Sequence, residues 1–114
     1  MILLVDDDTH VLETYTFILK KKGYDVISCL SGQDALLQFE THKHDIFAVV
    51  TDYNMPEMNG IQLIHAIEQK MPDIKTVLFS GLPPEQIPDH VTVLRKPINT
   101  HLLLEILKKD PLPQ

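Results

Sequence analysis

Five side chains able to handle a hard cation or a phosphoryl group stand at the ends of short apolar runs. Asp6 and Asp7 follow residues 2–5, Asp52 follows 46–51, Ser80 follows 74–79, and Lys96 lies just beyond 91–94. Three carboxylates brought together would repel, which either raises the pKa of one of them or recruits a cation. Mg²⁺ is the better answer, because it takes oxygen ligands, keeps several waters and typically binds one or two carboxylates plus phosphate oxygens. Lys96 adds a point charge suited to a phosphoryl oxygen. Three negative charges, one lysine and one Mg²⁺ would roughly balance. Phosphoryl transfer needs positioning and charge stabilisation more than covalent help, and an aspartate can itself be the nucleophile, giving an acyl phosphate. Asp52 is the best candidate nucleophile, since Asp6 and Asp7 open a helix whereas Asp52 stands apart. The Ser80 hydroxyl could hydrogen-bond the added phosphate.

The elements that must position these residues alternate. Residues 2–5 are apolar on both faces, as expected for a strand covered by helices on both sides. Val11, Leu12, Tyr15, Ile18 and Leu19 then recur at helical spacing, with Asp8 or Thr9 as cap and Gly23 as stop. Residues 24–29 read as a second strand. Ser31 with Asp34 opens a helix carrying Ala35, Leu36 and Phe39 that ends near Thr41. A third strand spans 46–51, and Ile61, Leu63, Ile64 and Ile67 form the stripe of a helix that opens near Asn59 and closes before Pro72. Residues 74–79 and 91–94 are the fourth and fifth strands. Between them, prolines 83, 84 and 88 leave room for one helical turn at most. Asn99 or Thr100 caps a last helix with Leu102, Leu103, Ile106 and Leu107 on one face.

Five strands alternating with helices indicate a doubly wound α/β fold with a parallel sheet, and for this length the flavodoxin-like order 2-1-3-4-5. Ligands in such folds bind beyond the strand C-termini at the switch point between strands 1 and 3, where Asp6, Asp7 and Asp52 would sit.

Composition bounds the partners. A length of 114 residues with 44% hydrophobic content suits one domain, spanning 1–110, with 111–114 as a tail or the start of a linker. Sixteen acidic residues against 10 basic, a net charge of -6, argue against direct nucleic acid binding. Lys20, Lys21 and Lys22 fall where cations complement a helix C-terminus. Cys29 is the single cysteine, so no internal disulfide is expected and the chain suits a reducing cytosol. No apolar run approaches a membrane span and no basic leader precedes residue 2, so a cytoplasmic protein without membrane attachment is expected. His42 and His44 lack a third metal ligand and read as solvated loop histidines.

These residues resemble the receiver domains of two-component response regulators, the fold of the chemotaxis regulator CheY. The carriers are Asp6-Asp7-Asp8, then Asp52-Tyr53-Asn54-Met55-Pro56-Glu57-Met58-Asn59-Gly60, Ser80, and Lys96-Pro97, in that order over nearly the whole chain. The resemblance implies that Asp52 is the phosphoacceptor. It implies Mg²⁺ held by Asp7, Asp52 and the Asn54 backbone carbonyl, with Asp6 acting mainly through water, and phosphoryl oxygens bound by Ser80 and Lys96. It further implies a cis Lys96-Pro97 bond, which would place the amine. The implied donor is a sensor histidine kinase or histidine phosphotransfer protein, with small acyl phosphates as substitutes. The implied target is a downstream effector domain or protein, and a homodimer is compatible with the family. Such a chain is a signalling domain that assists phosphotransfer to its own Asp52 and its dephosphorylation, rather than a metabolic enzyme.

Two features depart from the family pattern. Val93, three residues before Lys96, stands where receivers commonly carry Tyr or Phe, so an aromatic relay is the part the pattern does not support. Prolines between 83 and 88 predict a shortened or irregular fourth helix, and with it an altered, easily opened output face. The alternative reading is a receiver-like interaction module not regulated by phosphorylation, which the complete acidic set disfavours. A flavin carrier would need a phosphate-binding loop after strand 1, and an aspartyl-phosphate hydrolase would need a cap to enclose its substrate.

Overall fold

In the computed structural model, which describes residues 1–81 and 87–108, strands β1 (Ile2–Val5), β2 (Val26–Cys29), β3 (Ala48–Asp52), β4 (Lys75–Ser80) and β5 (Thr92–Arg95) form one sheet. All neighbours are parallel and the order is β2-β1-β3-β4-β5, as the sequence predicts. Helices α1 (Thr9–Lys21), α2 (Gly32–His42), α3 (Gly60–Glu68) and α4 (Thr100–Lys108) complete the described elements.

Successive strand residues point to opposite faces, and this alternation divides the core in two. Leu3, Val5, Val49 and Leu78 join Ala35 and Phe39 of α2 and Leu63, Ile64 and Ile67 of α3. Ile2, Leu4, Val50, Val77, Phe79 and Leu94 join Leu12 and Leu19 of α1 and Leu103 and Leu107 of α4. β1 and β3 are buried along their whole length, which accounts for their lack of polar alternation. Each of these buried Leu, Ile or Phe side chains contributes about 1.5–3 kcal/mol relative to exposure.

Helix starts follow side-chain chemistry. Asp8 is the α1 cap, accepting from the amides of His10 and Val11. Ser31 caps α2 through the Asp34 amide. Asn59 caps α3 in a reciprocal box with Gln62. Gly23, at φ 97, ends α1 in the left-handed conformation that glycine adopts without strain.

The strands are displaced from their apolar runs in an instructive way. β2 starts at Val26 rather than 24, because the Tyr24 amide is spent on the Leu19 carbonyl at the end of α1. β3 starts at Ala48 rather than 46 and reaches Asp52, while β4 and β5 each lie one residue later than the apolar pattern suggests. The functional polar residues at 52 and 80 therefore belong to the strands themselves. The expected irregularity around residues 82–86 lies outside the described residues; of the neighbouring ones, 89 and 90 form a turn, closed by the Val91 amide on the Pro88 carbonyl at 3.0 Å. The expected tail at 111–114 also lies outside them.

Candidate functional site

Register brings the site together. Val5 pairs with Thr51, so Asp6 emerges beside Asp52; Asp52 pairs with Phe79, and Ser80 with Arg95, so Ser80 and Lys96 follow on the same edge. The ladder continues past the strands through Asp6 N–H to Cys29 C=O at 3.1 Å, Tyr53 N–H to Phe79 C=O at 2.8 Å and Lys96 N–H to Ser80 C=O at 2.9 Å. These bonds fix the backbone from which each functional side chain departs.

Asp6, Asp52 and Ser80 are buried, at 1%, 5% and 2% exposure, whereas Asp7 is exposed. Carboxylate oxygens of Asp6, Asp7 and Asp52 lie within 4.8 Å of one another. Lys96 Nζ sits 2.9 Å from Asp52 Oδ1 and 3.7 Å from Asp6 Oδ2. The Lys96-Pro97 bond is cis, as the resemblance implies. Asp8, also exposed, is a helix cap and not part of the cluster.

Electrostatics show what the cluster lacks. Burial pushes the Asp6 carboxyl up from its ordinary 3.8 to about 6; Asp52 and Asp7 add to the rise, while the Asp8 amide and Lys96 oppose it. Burial, the strongest influence on Lys96, disfavours its charge, yet the hydrogen bond to Asp52 and the fields of Asp6, Asp52 and Asp8 hold its pKa above the ordinary value. Asp6 Oδ1 accepts from the Asp8 amide at 2.8 Å, but the buried Oδ2 has no hydrogen-bond partner among the described residues. An orphaned anionic oxygen inside a cluster carrying three acids and one lysine fits a hard dication well.

The loop from Tyr53 to Asn59 carries Asn54, an exposed residue. The loop closes by a Gly60 N–H to Tyr53 C=O bond at 2.9 Å. Gly60 permits a close approach: a Cβ there would meet the Asp52 carbonyl oxygen at 2.4 Å and Leu78 Cδ1 at 2.6 Å. The unusual dihedral of this loop belongs instead to Glu57, at φ 70, which no sequence signal marks. Sequence reasoning also passed over Gly32, where a Cβ would meet Met58 Sδ at 2.7 Å. Only the fold reveals that neighbour. Cys29 is buried, and burial together with Asp34 raises its thiol to about 11, in keeping with a core role.

Residues 2–108 match the family model for the response regulator receiver domain. The chain belongs to this family. Response regulator receiver protein CpdR of Brucella abortus is 30% identical over 115 residues, covering 95% of this chain and 93% of its own. Transcriptional regulatory protein GlrR of Escherichia coli K12 is 31% identical over 113 residues, covering 99% of this chain but 24% of its own. The chain thus spans about a quarter of GlrR. Among solved structures, the CheX-CheY-BeF3-Mg complex from Borrelia burgdorferi matches with a TM-score of 0.83 at 25% identity, covering 93% of this chain and 84% of that one. Receiver domains serve phosphorylation-based two-component signalling, bind Mg²⁺ at an acidic pocket, and interact with histidine kinases and effectors. No helix among the described residues is long and apolar enough to cross a membrane.

Proposed function

We propose that Asp52 accepts a phosphoryl group from a phosphohistidine on a sensor kinase or phosphotransfer protein. The observation that carries this is the pairing of a buried Asp52 carboxylate with the Lys96 ammonium at 2.9 Å, inside an acidic cluster at the switch point of the sheet. An Asp52 oxygen attacks phosphorus as the P–N bond breaks; the imidazole leaves with the bonding pair and takes a proton from solvent. The product is an acyl phosphate. In a separate hydrolytic step, water attacks phosphorus and the P–O bond to Asp52 breaks, releasing inorganic phosphate and returning the carboxylate.

Lys96 holds the acceptor carboxylate in place at 2.9 Å, then passes to a phosphoryl oxygen as charge develops there. The Ser80 hydroxyl, at the end of the adjacent strand, donates to another. Asp7, Asp52 and the Asn54 backbone carbonyl would hold Mg²⁺, with Asp6 acting mainly through water. When bound, the ion supplies charge neutralisation at the transferring oxygens. The BeF3 and Mg held by the Borrelia burgdorferi CheY complex support this assignment.

The modified state acts by binding one arrangement of the domain better than another, since only differential affinity shifts a population. Its output is a downstream domain or protein reached in the cytoplasm, with residues 1–110 as the receiver unit; a homodimer is one form that output could take. Val93 is half-buried against the first core cluster, and no aromatic lies in β5, so the relay runs without a ring at that position.

Incubation with Mg²⁺ and acetyl phosphate, followed by intact mass measurement, tests the proposal. A single phosphoryl adduct that is absent in Asp52→Asn is the expected result. No adduct from acetyl phosphate or from a panel of phosphorylated kinases would favour the unphosphorylated interaction module instead.

A further inference from the structure

The loop that carries Asn54 is held from outside the site. Its ends are fixed by the Tyr53–Phe79 and Gly60–Tyr53 backbone bonds, but its middle turns sharply, with the Met58 amide on the Pro56 carbonyl at 2.7 Å and Glu57 at φ 70. A non-glycine residue in that conformation persists only where its surroundings impose it. Those surroundings are the first turn of α2. Gln33 Nε2 donates to Glu57 Oε2 at 3.2 Å. The bare Cα of buried Gly32 receives the Met58 side chain, so closely that a Cβ would lie 2.7 Å from Sδ and 3.0 Å from both Cβ and Cγ.

Resting on the Mg²⁺ site proposed above, we infer that Gly32 and Gln33 are positioning residues that set the affinity of this chain for a divalent cation. They touch neither the acids nor the phosphoryl position. They act through Glu57 and Met58, three and four residues beyond Asn54, by holding the turn that aims its backbone carbonyl. Contact at Met58 Cβ matters most, since Sδ alone could swing aside whereas Cβ moves only with the backbone. Supporting groups of this kind commonly change metal affinity by about tenfold or more when altered.

Gly32→Ala separates positioning from simple stability. Gly32 opens a helix outside the left-handed region, where alanine alone would leave stability unchanged or raise it. Titrating the intact chain with MgCl₂ by calorimetry, alongside metal-free melting, is the experiment. Gly32→Ala should weaken Mg²⁺ by about tenfold at a temperature where its metal-free melt shows it fully folded, and Gln33→Ala by about threefold, one exposed hydrogen bond being lost. Adding Met58→Ala to Gly32→Ala, which removes Sδ and Cγ but keeps the Cβ contact, should recover only part of the affinity. Wild-type affinity in both Gly32→Ala and Gln33→Ala would overturn the inference while leaving the metal site intact. A wild type that binds no Mg²⁺, or an Asp7→Asn variant that binds as wild type, would overturn the site assignment and this inference with it.

Discussion

The junction after β1 and the loop after β3 deliver carboxylates to the same point by different means. The first spans three residues, 6–8, and beyond the ladder bond of Asp6 N–H to Cys29 it is shaped mainly by its own side chains: Asp8 caps α1, and Asp6 Oδ1 takes the Asp8 amide. The second spans seven residues, 53–59, and depends on distant partners: Phe79 and Leu78 of β4, and Gly32 and Gln33 of α2. A short junction is closed by its own side chains, whereas a long loop takes its shape from whatever packs around it. Acids on the first should tolerate local change; the geometry of the second should fail when a remote contact is disturbed.

The largest expected effect therefore lies in the long loop. Gly60→Ala places a methyl against the Asp52 carbonyl, which yields only with backbone movement, and against Leu78 Cδ1 in the buried core. A loss of about 3 kcal/mol in urea unfolding is expected, as for overpacking in a rigid core. A loss under 0.5 kcal/mol would show that the loop yields and would dissolve the contrast.

The short junction should show the opposite sign at Asp6. Its raised pKa means that the folded state holds the proton more tightly than the unfolded one. This group's contribution is present in full below about pH 3.8 and is lost as pH rises through about 6, a penalty on the order of 3 kcal/mol above that window. Asp6→Asn keeps an acceptor for the Asp8 amide and removes the charge. Metal-free Asp6→Asn should be about 2 kcal/mol more stable than wild type at pH 7.5, the two curves converging towards pH 4. A destabilised Asp6→Asn at neutral pH would contradict the electrostatic account.

A smaller effect is expected at the cap. Asp8→Ala loses the bonds to His10 and Val11 and should lower stability by about 1 kcal/mol. Mg²⁺ affinity measured in the same protein should fall less than in Gly32→Ala, because Asp8 is no part of the cluster. A larger fall would mean that the two stretches are not independent.

This division also marks how much was legible in the sequence. Apolar runs and helical spacing placed all five strands and the four described helices, because those signals are local and repeated; the strand order followed from the alternation of elements in a chain of this length. Asp6, Asp7, Asp52, Ser80 and Lys96 stood at strand ends in the sequence and are brought to one edge by register. Strand limits slipped by one or two residues, at β2 because the Tyr24 amide is taken by the end of α1. Gly60 stood in the sequence only as the end of the motif after Asp52; the fold shows that close approach, not its dihedral, calls for glycine there. Glu57 and Gly32 left no signal: positive φ is usually sought at glycine, and the neighbour that requires Gly32 to be bare lies 26 residues further along the chain.

The cluster holds three carboxylates within 4.8 Å, and the account assigns the phosphoryl group to one of them. Borohydride reduction of the phosphorylated wild-type chain, with peptide mapping, reads that assignment directly, since reduction of an aspartyl phosphate leaves homoserine at the modified position. Homoserine at residue 52 alone is the predicted result; homoserine at residue 6 or 7, with residue 52 still aspartate, would contradict it.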